Sequence, residues 1–140
     1  MLFRSISVAD SDKRAVILPA HRLQQLGFTL VATEGTAEIL ARNGIHVTVV
    51  SKYSETQTSG ERNIVDLIND GEIDIVVNTP SGGVARADGY EIRAAAVAAD
   101  KALFTTMAVL GAAVSGMDAA NEGFSVRSLQ EYESDRRAAK

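Results

Sequence analysis

Leu23-Gln24-Gln25-Leu26-Gly27-Phe28-Thr29-Leu30-Val31-Ala32-Thr33-Glu34-Gly35-Thr36 is the stretch that decides how this chain folds. Its left part has helical spacing and stops at a glycine, the residue that most readily adopts the left-handed turn ending a helix. Its middle, Phe28-Thr29-Leu30-Val31, is apolar and β-rich, and it leads into Ala37-Glu38-Ile39-Leu40-Ala41-Arg42, which reads as helix again. The same order of helix, glycine and strand recurs at Ile39-Leu40-Ala41-Arg42-Asn43-Gly44 before residues 45–50. It appears a third time at Val65-Asp66-Leu67-Ile68-Asn69-Asp70-Gly71 before residues 73–77. Helix alternating with strand requires crossovers, and crossovers of this length imply a parallel sheet covered on both faces. Residues 3–8 and 102–105 bring the strands to five. The expected fold is therefore α/β, a three-layer αβα sandwich around a five-stranded parallel sheet. Helices are expected near 11–26, 34–43, 62–70, 88–100 and 107–117, with a short one after Ser128. Pro19 should kink the first of these or delay its start.

The chain has 140 residues, enough for one domain with a real core, and no linker argues for two. We expect a single domain over 1–140, excised from a longer chain, because residue 3 already enters a strand pattern. The segment from Ser51 to Gly60 is polar and aperiodic and is expected to be a mobile surface loop, and residues 135–140 a frayed tail. A net charge of -4 gives no support for nucleic-acid binding, which favours a basic face. No apolar run approaches the roughly 18 residues of a membrane-spanning helix. With no cysteine, thiolate metal sites and a cysteine nucleophile are excluded. His21 and His46 stand alone, without a metal-ligand pattern, and read as surface or core-edge residues.

In an open parallel sheet, ligands bind beyond the carboxyl ends of the strands. The first strand delivers Asp10-Ser11-Asp12-Lys13 there, the second Thr33-Glu34-Gly35-Thr36, and the third Ser51-Lys52. The fourth delivers Asn78-Thr79-Pro80-Ser81-Gly82-Gly83, and the fifth Thr105-Thr106. Lys13 and Lys52 supply charge, while Thr33, Thr36 and Ser81 supply directed hydrogen bonds to phosphate oxygens. Gly35 lets the chain turn into a helix whose positive end favours an anion. Asn78 and Asp88 can read ribose hydroxyls, since their side-chain oxygens accept from a diol. Each of these residues also has a plainer reading. Thr33 can simply cap a helix, the lysines can be solvated charges, and 78–83 can be an ordinary turn. Met107-Ala108-Val109-Leu110-Gly111-Ala112-Ala113-Val114-Ser115-Gly116-Met117 reads as a buried helix rather than a cofactor box.

The series Ser7-Val8-Ala9-Asp10-Ser11-Asp12-Lys13, Ala32-Thr33-Glu34-Gly35-Thr36 and Ile75-Val76-Val77-Asn78-Thr79-Pro80-Ser81-Gly82 resembles the methylglyoxal-synthase-like domain. With Glu91-Ile92-Arg93-Ala94-Ala95-Ala96 and Phe124-Ser125-Val126-Arg127-Ser128-Leu129-Gln130-Glu131, it most resembles the carboxyl-terminal allosteric domain of carbamoyl-phosphate synthase large chains. That resemblance implies a cytoplasmic regulatory domain with no catalysis, metal or cofactor of its own. The parent ligase would use ATP and Mg and partner a glutaminase small chain. The effectors implied are UMP and, in some members, IMP, with no nucleic acid or membrane as partner. The phosphate grip would fall on Lys13, Thr33, Gly35, Thr36 and Lys52, and the ribose and base side on Asn78, Thr79, Ser81 and Asp88. Pro80 stands where some members carry a third hydroxyl. Phe104-Thr105-Thr106 replaces the Tyr-Asp-Thr run of members that bind ornithine.

The rival reading is methylglyoxal synthase itself, which eliminates phosphate from dihydroxyacetone phosphate and needs a carboxylate base. Those enzymes carry Gly-Gly-Asp-Gln where this chain has Ser59-Gly60-Glu61-Arg62, and a second acid where it has Thr79. The cyclohydrolase domain that closes the purine ring of IMP shares the fold but matches the closing segment less well. A receiver module would need an aspartate near Lys52.

Overall fold

In a computed structural model of the chain, which describes residues 3–80, 85–123 and 126–139, all three helix–glycine–strand junctions close with the same hydrogen bond. Phe28 N–H donates to the Leu23 carbonyl, Ile45 to Leu40 and Glu72 to Leu67, each at 3.1 Å. The bond needs a left-handed residue just before the donor, and Gly27, Gly44 and Gly71 supply it with φ between +76° and +89°. A fourth junction of this kind escaped the pattern because it carries no glycine. Lys101 N–H reaches the Ala96 carbonyl at 2.9 Å across Asp100, whose φ is +54°. Aspartate is one of the few residues that tolerate that conformation.

These junctions join β1 (Phe3–Ser7), α1 (Ile17–Gln25), β2 (Thr29–Thr33), α2 (Glu34–Arg42) and β3 (Val47–Val50) to the second half. There follow α3 (Ile64–Asn69), β4 (Ile73–Asn78), α4 (Ala85–Ala98), β5 (Ala102–Phe104), α5 (Met107–Asn121) and α6 (Leu129–Ala138). Short 3-10 turns stand at Asp10–Asp12 and Ser54–Thr56. The five strands of the described residues are all parallel, in the order β3-β2-β1-β4-β5. Successive side chains point to opposite faces, so Leu30 and Ala32 enter one core and Val31 the other. The first core takes Val16 at the N-cap of α1, Ala20 and Leu23 of α1, Leu40 of α2, and Leu110 and Val114 of α5. The second takes Ile64 and Ile68 of α3 and Ile92 and Ala96 of α4. Helices thus cover both faces, the three-layer αβα arrangement expected of the sequence.

Three elements differ from their reading. The first helix is not continuous from residue 11. A 3-10 turn comes first and α1 starts at Ile17, leaving Pro19 in the first turn, where its missing N–H costs nothing. The helix read as buried, α5, buries only Leu110 and Val114, and Val109 is exposed. It lies on the outside of the sandwich, and its apolar composition all round gave no sign of that. Residues 135–138, read as tail, continue α6.

Helix α6 owes its start to a reciprocal cap. Glu131 N–H donates to Ser128 Oγ at 3.2 Å, while Ser128 N–H donates to the Glu131 carboxylate at 2.7 Å. The backbone N–H of Ser128, and then its hydroxyl, hold the Glu131 carboxyl below its ordinary value of 4.5. A carboxyl whose folded value is lowered stabilises the fold above its unfolded value and loses that contribution as pH falls through the folded one. Helicity of α6 should therefore weaken only below about pH 4.5. Carbon-detected NMR titration checks this: Glu131 should titrate below 4.5, and Ser128→Ala should move it up toward that value.

Candidate functional site

Strand order runs β1-β2-β3 to one side and β1-β4-β5 to the other, so the connections reverse direction between β1 and β4. A crevice opens at such a switch point, beyond the carboxyl ends of the two strands. Here it is a cavity of about 550 Å³, within the range of small-molecule sites. The end of β1 contributes Ser7, Val8 and Ala9, the end of β4 Asn78, Thr79 and Pro80, and the end of β2 Thr33 and Gly35. Asp10, Ser11 and Lys13 of the turn after β1, with Lys52, Asp88, Gly89 and Ile92, complete its walls.

Seven of the residues picked from sequence meet on this cavity: Lys13, Thr33, Gly35, Lys52, Asn78, Thr79 and Asp88. Thr36 does not line it. Its hydroxyl is buried behind the wall and accepts from Val8 N–H at 3.3 Å, fixing the turn that follows β1. Ser81 lies outside the described residues. Thr33 occupies the N-cap of α2, yet its side chain makes no cap hydrogen bond. Its hydroxyl instead pairs with Ser7 Oγ on the neighbouring strand at 3.1 Å. Among the described residues the first amides of α2 are therefore left without a side-chain acceptor, the arrangement that favours an anion there.

The two turns that carry the rim are tied together. Thr79 Oγ1 accepts from Ala9 N–H at 2.8 Å, so the end of β4 holds the start of the Asp10–Asp12 turn. Lys13 then lies back over the first turn of α2. A Cβ on Gly35 would stand 3.0 Å from Lys13 Nζ, so this glycine makes room for the ammonium. Lys13 Nζ donates to Asp10 Oδ1 at 2.5 Å. That hydrogen bond and the charge of Lys13, with a smaller contribution from Lys52, hold the exposed Asp10 carboxyl below its ordinary value. Asp10 thus serves as the resident counter-ion of the basic wall.

Across the cavity, Asp88 is buried, and each of its carboxylate oxygens accepts from Ser54. Its Oδ1 accepts from Ser54 N–H and its Oδ2 from Ser54 Oγ, both at 2.9 Å. Segment 51–60 is fastened to α4 by this pair and to α3 by Asn63 Nδ2 donating to the buried Thr56 Oγ1 at 2.7 Å. Sequence reading missed Ser7, Ser54 and Gly89. Ser7 was findable as the last residue of a strand, whereas the contact of Ser54 with α4 has no local signature. His21 and His46 are exposed, and among the described residues no three side chains are grouped to hold a metal ion. Thr106 caps α5 by accepting from Val109 N–H at 3.2 Å.

The model of the MGS-like domain family matches residues 15–105. The chain belongs to the MGS-like domain family. This MGS-like domain is 66% identical over 128 residues to the carbamoyl phosphate synthase large chain of Clavibacter michiganensis subsp. michiganensis. It is 57% identical over 129 residues to that of Streptomyces coelicolor. The match covers 91% of the domain and only 12% of each of these relatives. The crystal structure of ForH superimposes with a TM-score of 0.60 at 19% identity, covering 82% of the domain and 77% of that chain. That likeness concerns the fold alone. No described helix is long and apolar enough to cross a membrane.

Proposed function

We propose that this MGS-like domain is the allosteric effector-binding domain of a carbamoyl phosphate synthase large chain, and that its rim cavity binds UMP and, as a second effector, IMP. The observation that carries the reading is the meeting of Lys13, Lys52 and the Thr33 and Thr79 hydroxyls on one cavity at the switch point. Phosphate belongs beside Lys13 and the start of α2, where charge-assisted hydrogen bonds are strongest. Ribose and base then extend toward Asn78 and Asp88. The parent would be an ATP- and Mg-dependent ligase of pyrimidine and arginine biosynthesis, cytoplasmic and paired with a glutaminase small chain. ATP and Mg would act in the rest of that protein. The exposed apolar face of α5 around Val109, with Leu129 and Tyr132 of α6, is suited to packing against it.

Lyase chemistry has less support. A base would have to be a carboxylate near the bound substrate, but Asp10 is paired with Lys13 and Asp88 with Ser54. Glu61 is exposed and does not line the cavity, and its neighbour Arg62 is paired with Asp70 and Glu72. The test is a thermal-shift panel of UMP, IMP and dihydroxyacetone phosphate with a methylglyoxal assay alongside. Nucleotide stabilisation without turnover is expected, whereas methylglyoxal production overturns the reading.

Segment 51–60 gives the site a route outward. A ribose hydroxyl reaching Asp88 competes with Ser54, so effector binding should alter how this segment is held, with a coupling of about 1–3 kcal/mol in typical cases. Hydrogen exchange checks it. UMP should change the protection of amides 51–60, and Ser54→Ala should raise their exchange in the free protein. Protection unaltered by UMP would contradict this route.

A further inference from the structure

We infer that Arg93 is a positioning residue of the rim site, holding the Asn78 amide in one orientation through a gap left by Gly89. The inference rests on the nucleotide reading for its ligand. Arg93 Nη1 donates to Asn78 Oδ1 at 2.5 Å, and Asn78 Nδ2 donates to the Ser7 carbonyl at 3.0 Å. A guanidinium only donates and a carbonyl only accepts, so these two partners together forbid the flipped amide. Asn78 is 3% exposed, so its orientation is set by them rather than by solvent. Among the described residues nothing accepts the other amide N–H, and Asn78 lines the cavity. That N–H is therefore the group offered to a ligand, strengthened as a donor by the cation behind the oxygen. The Asn78 wall therefore selects a nucleotide oxygen that accepts, and disfavours a ligand presenting a donor there.

Gly89 is what permits the arrangement. Helical side chains lean back toward the N-terminus, so Arg93, four residues on, folds over Gly89. A Cβ at Gly89 would stand 2.8 Å from Arg93 Nη1, so the guanidinium would have to move off, and 3.2 Å from Asn78 Oδ1, a tight contact. Its φ lies outside the left-handed region, so backbone conformation does not call for glycine. Glycine also weakens a helix at this position relative to alanine. Room for the guanidinium is the remaining reason.

The test compares Gly89→Ala, Arg93→Met, their double variant and Arg93→Lys, with UMP as probe and the Asn78 side-chain amide followed by NMR in the free protein. Gly89→Ala and Arg93→Met should each shift the Asn78 resonances and weaken UMP by about tenfold. Gly89→Ala should do so while keeping or raising the melting temperature. The double variant should be no weaker than either single one, because both sever the same contact. Arg93→Lys, which keeps a donor, should recover most of the loss. Full UMP affinity in Arg93→Met overturns the inference. So does an additive loss in the double variant, which would mean that the methyl blocks the cavity directly. If the wild-type chain binds no UMP, the nucleotide reading fails by itself. The Asn78 resonances then decide: shifted in Arg93→Met they sustain the positioning role, unchanged they overturn it.

Discussion

Lys13→Ala should weaken UMP by about ten- to a hundredfold while leaving the fold intact, since hydrogen bonds to an ionised group are among the strongest a side chain makes. Two effects add. The ammonium over the first turn of α2 is lost, and Asp10, now without its partner at 2.5 Å, becomes an uncompensated carboxylate beside an anionic ligand. Asp10→Asn introduced into the same variant should therefore restore part of the affinity. The Asp10 side chain is 93% exposed, and an ion pair with so exposed a partner contributes little to folding. The melting temperature should hardly move. Calorimetric titration at low salt checks the affinity and circular dichroism the fold. An unchanged dissociation constant in Lys13→Ala would remove phosphate from this wall.

Ile92→Ala should cost the domain about 2–5 kcal/mol, the range for deleting a buried branched side chain. Ile92 is 1% exposed and belongs at once to the core under α4 and to the lining of the cavity. Truncation leaves a void that the close-packed surroundings fill only in part. Denaturant unfolding should show a lower midpoint with an unchanged slope, and the melting temperature should fall on the order of 10 °C. A loss within a few tenths of a kcal/mol would mean that the cavity already reaches into the core. UMP at saturating concentration should raise the melting temperature of this variant as it does that of the wild type, because a ligand that binds only the folded state shifts the equilibrium by mass action.

Much of this architecture is legible in the amino-acid sequence because it is written locally. Three helix–glycine–strand junctions announce themselves through Gly27, Gly44 and Gly71, each at a left-handed position. The fourth is hidden because Asp100 takes the left-handed place in the absence of glycine. The apolar stretch from Met107 shows helix but not depth, since composition does not say which face of α5 meets the sandwich. At the site, chain position after each strand was enough to bring Lys13, Thr33, Gly35, Lys52, Asn78 and Thr79 to one rim. What the residues do for one another was not legible. Thr36 turns inward to hold Val8, Thr33 ignores its own helix for Ser7, and Asp88 receives Ser54 from 34 positions away. Such contacts arise from register and side-chain direction, which spacing along the chain does not encode.

The lyase and effector readings share one cavity and differ in whether a carboxylate in it is free to act. Asp10 and Asp88 both have partners here. Calorimetric titration of the wild-type chain with UMP, followed by dihydroxyacetone phosphate under a methylglyoxal assay, is the most direct test. Saturable one-to-one binding of UMP with no methylglyoxal is the predicted result. Absence of nucleotide binding together with methylglyoxal release would contradict the account.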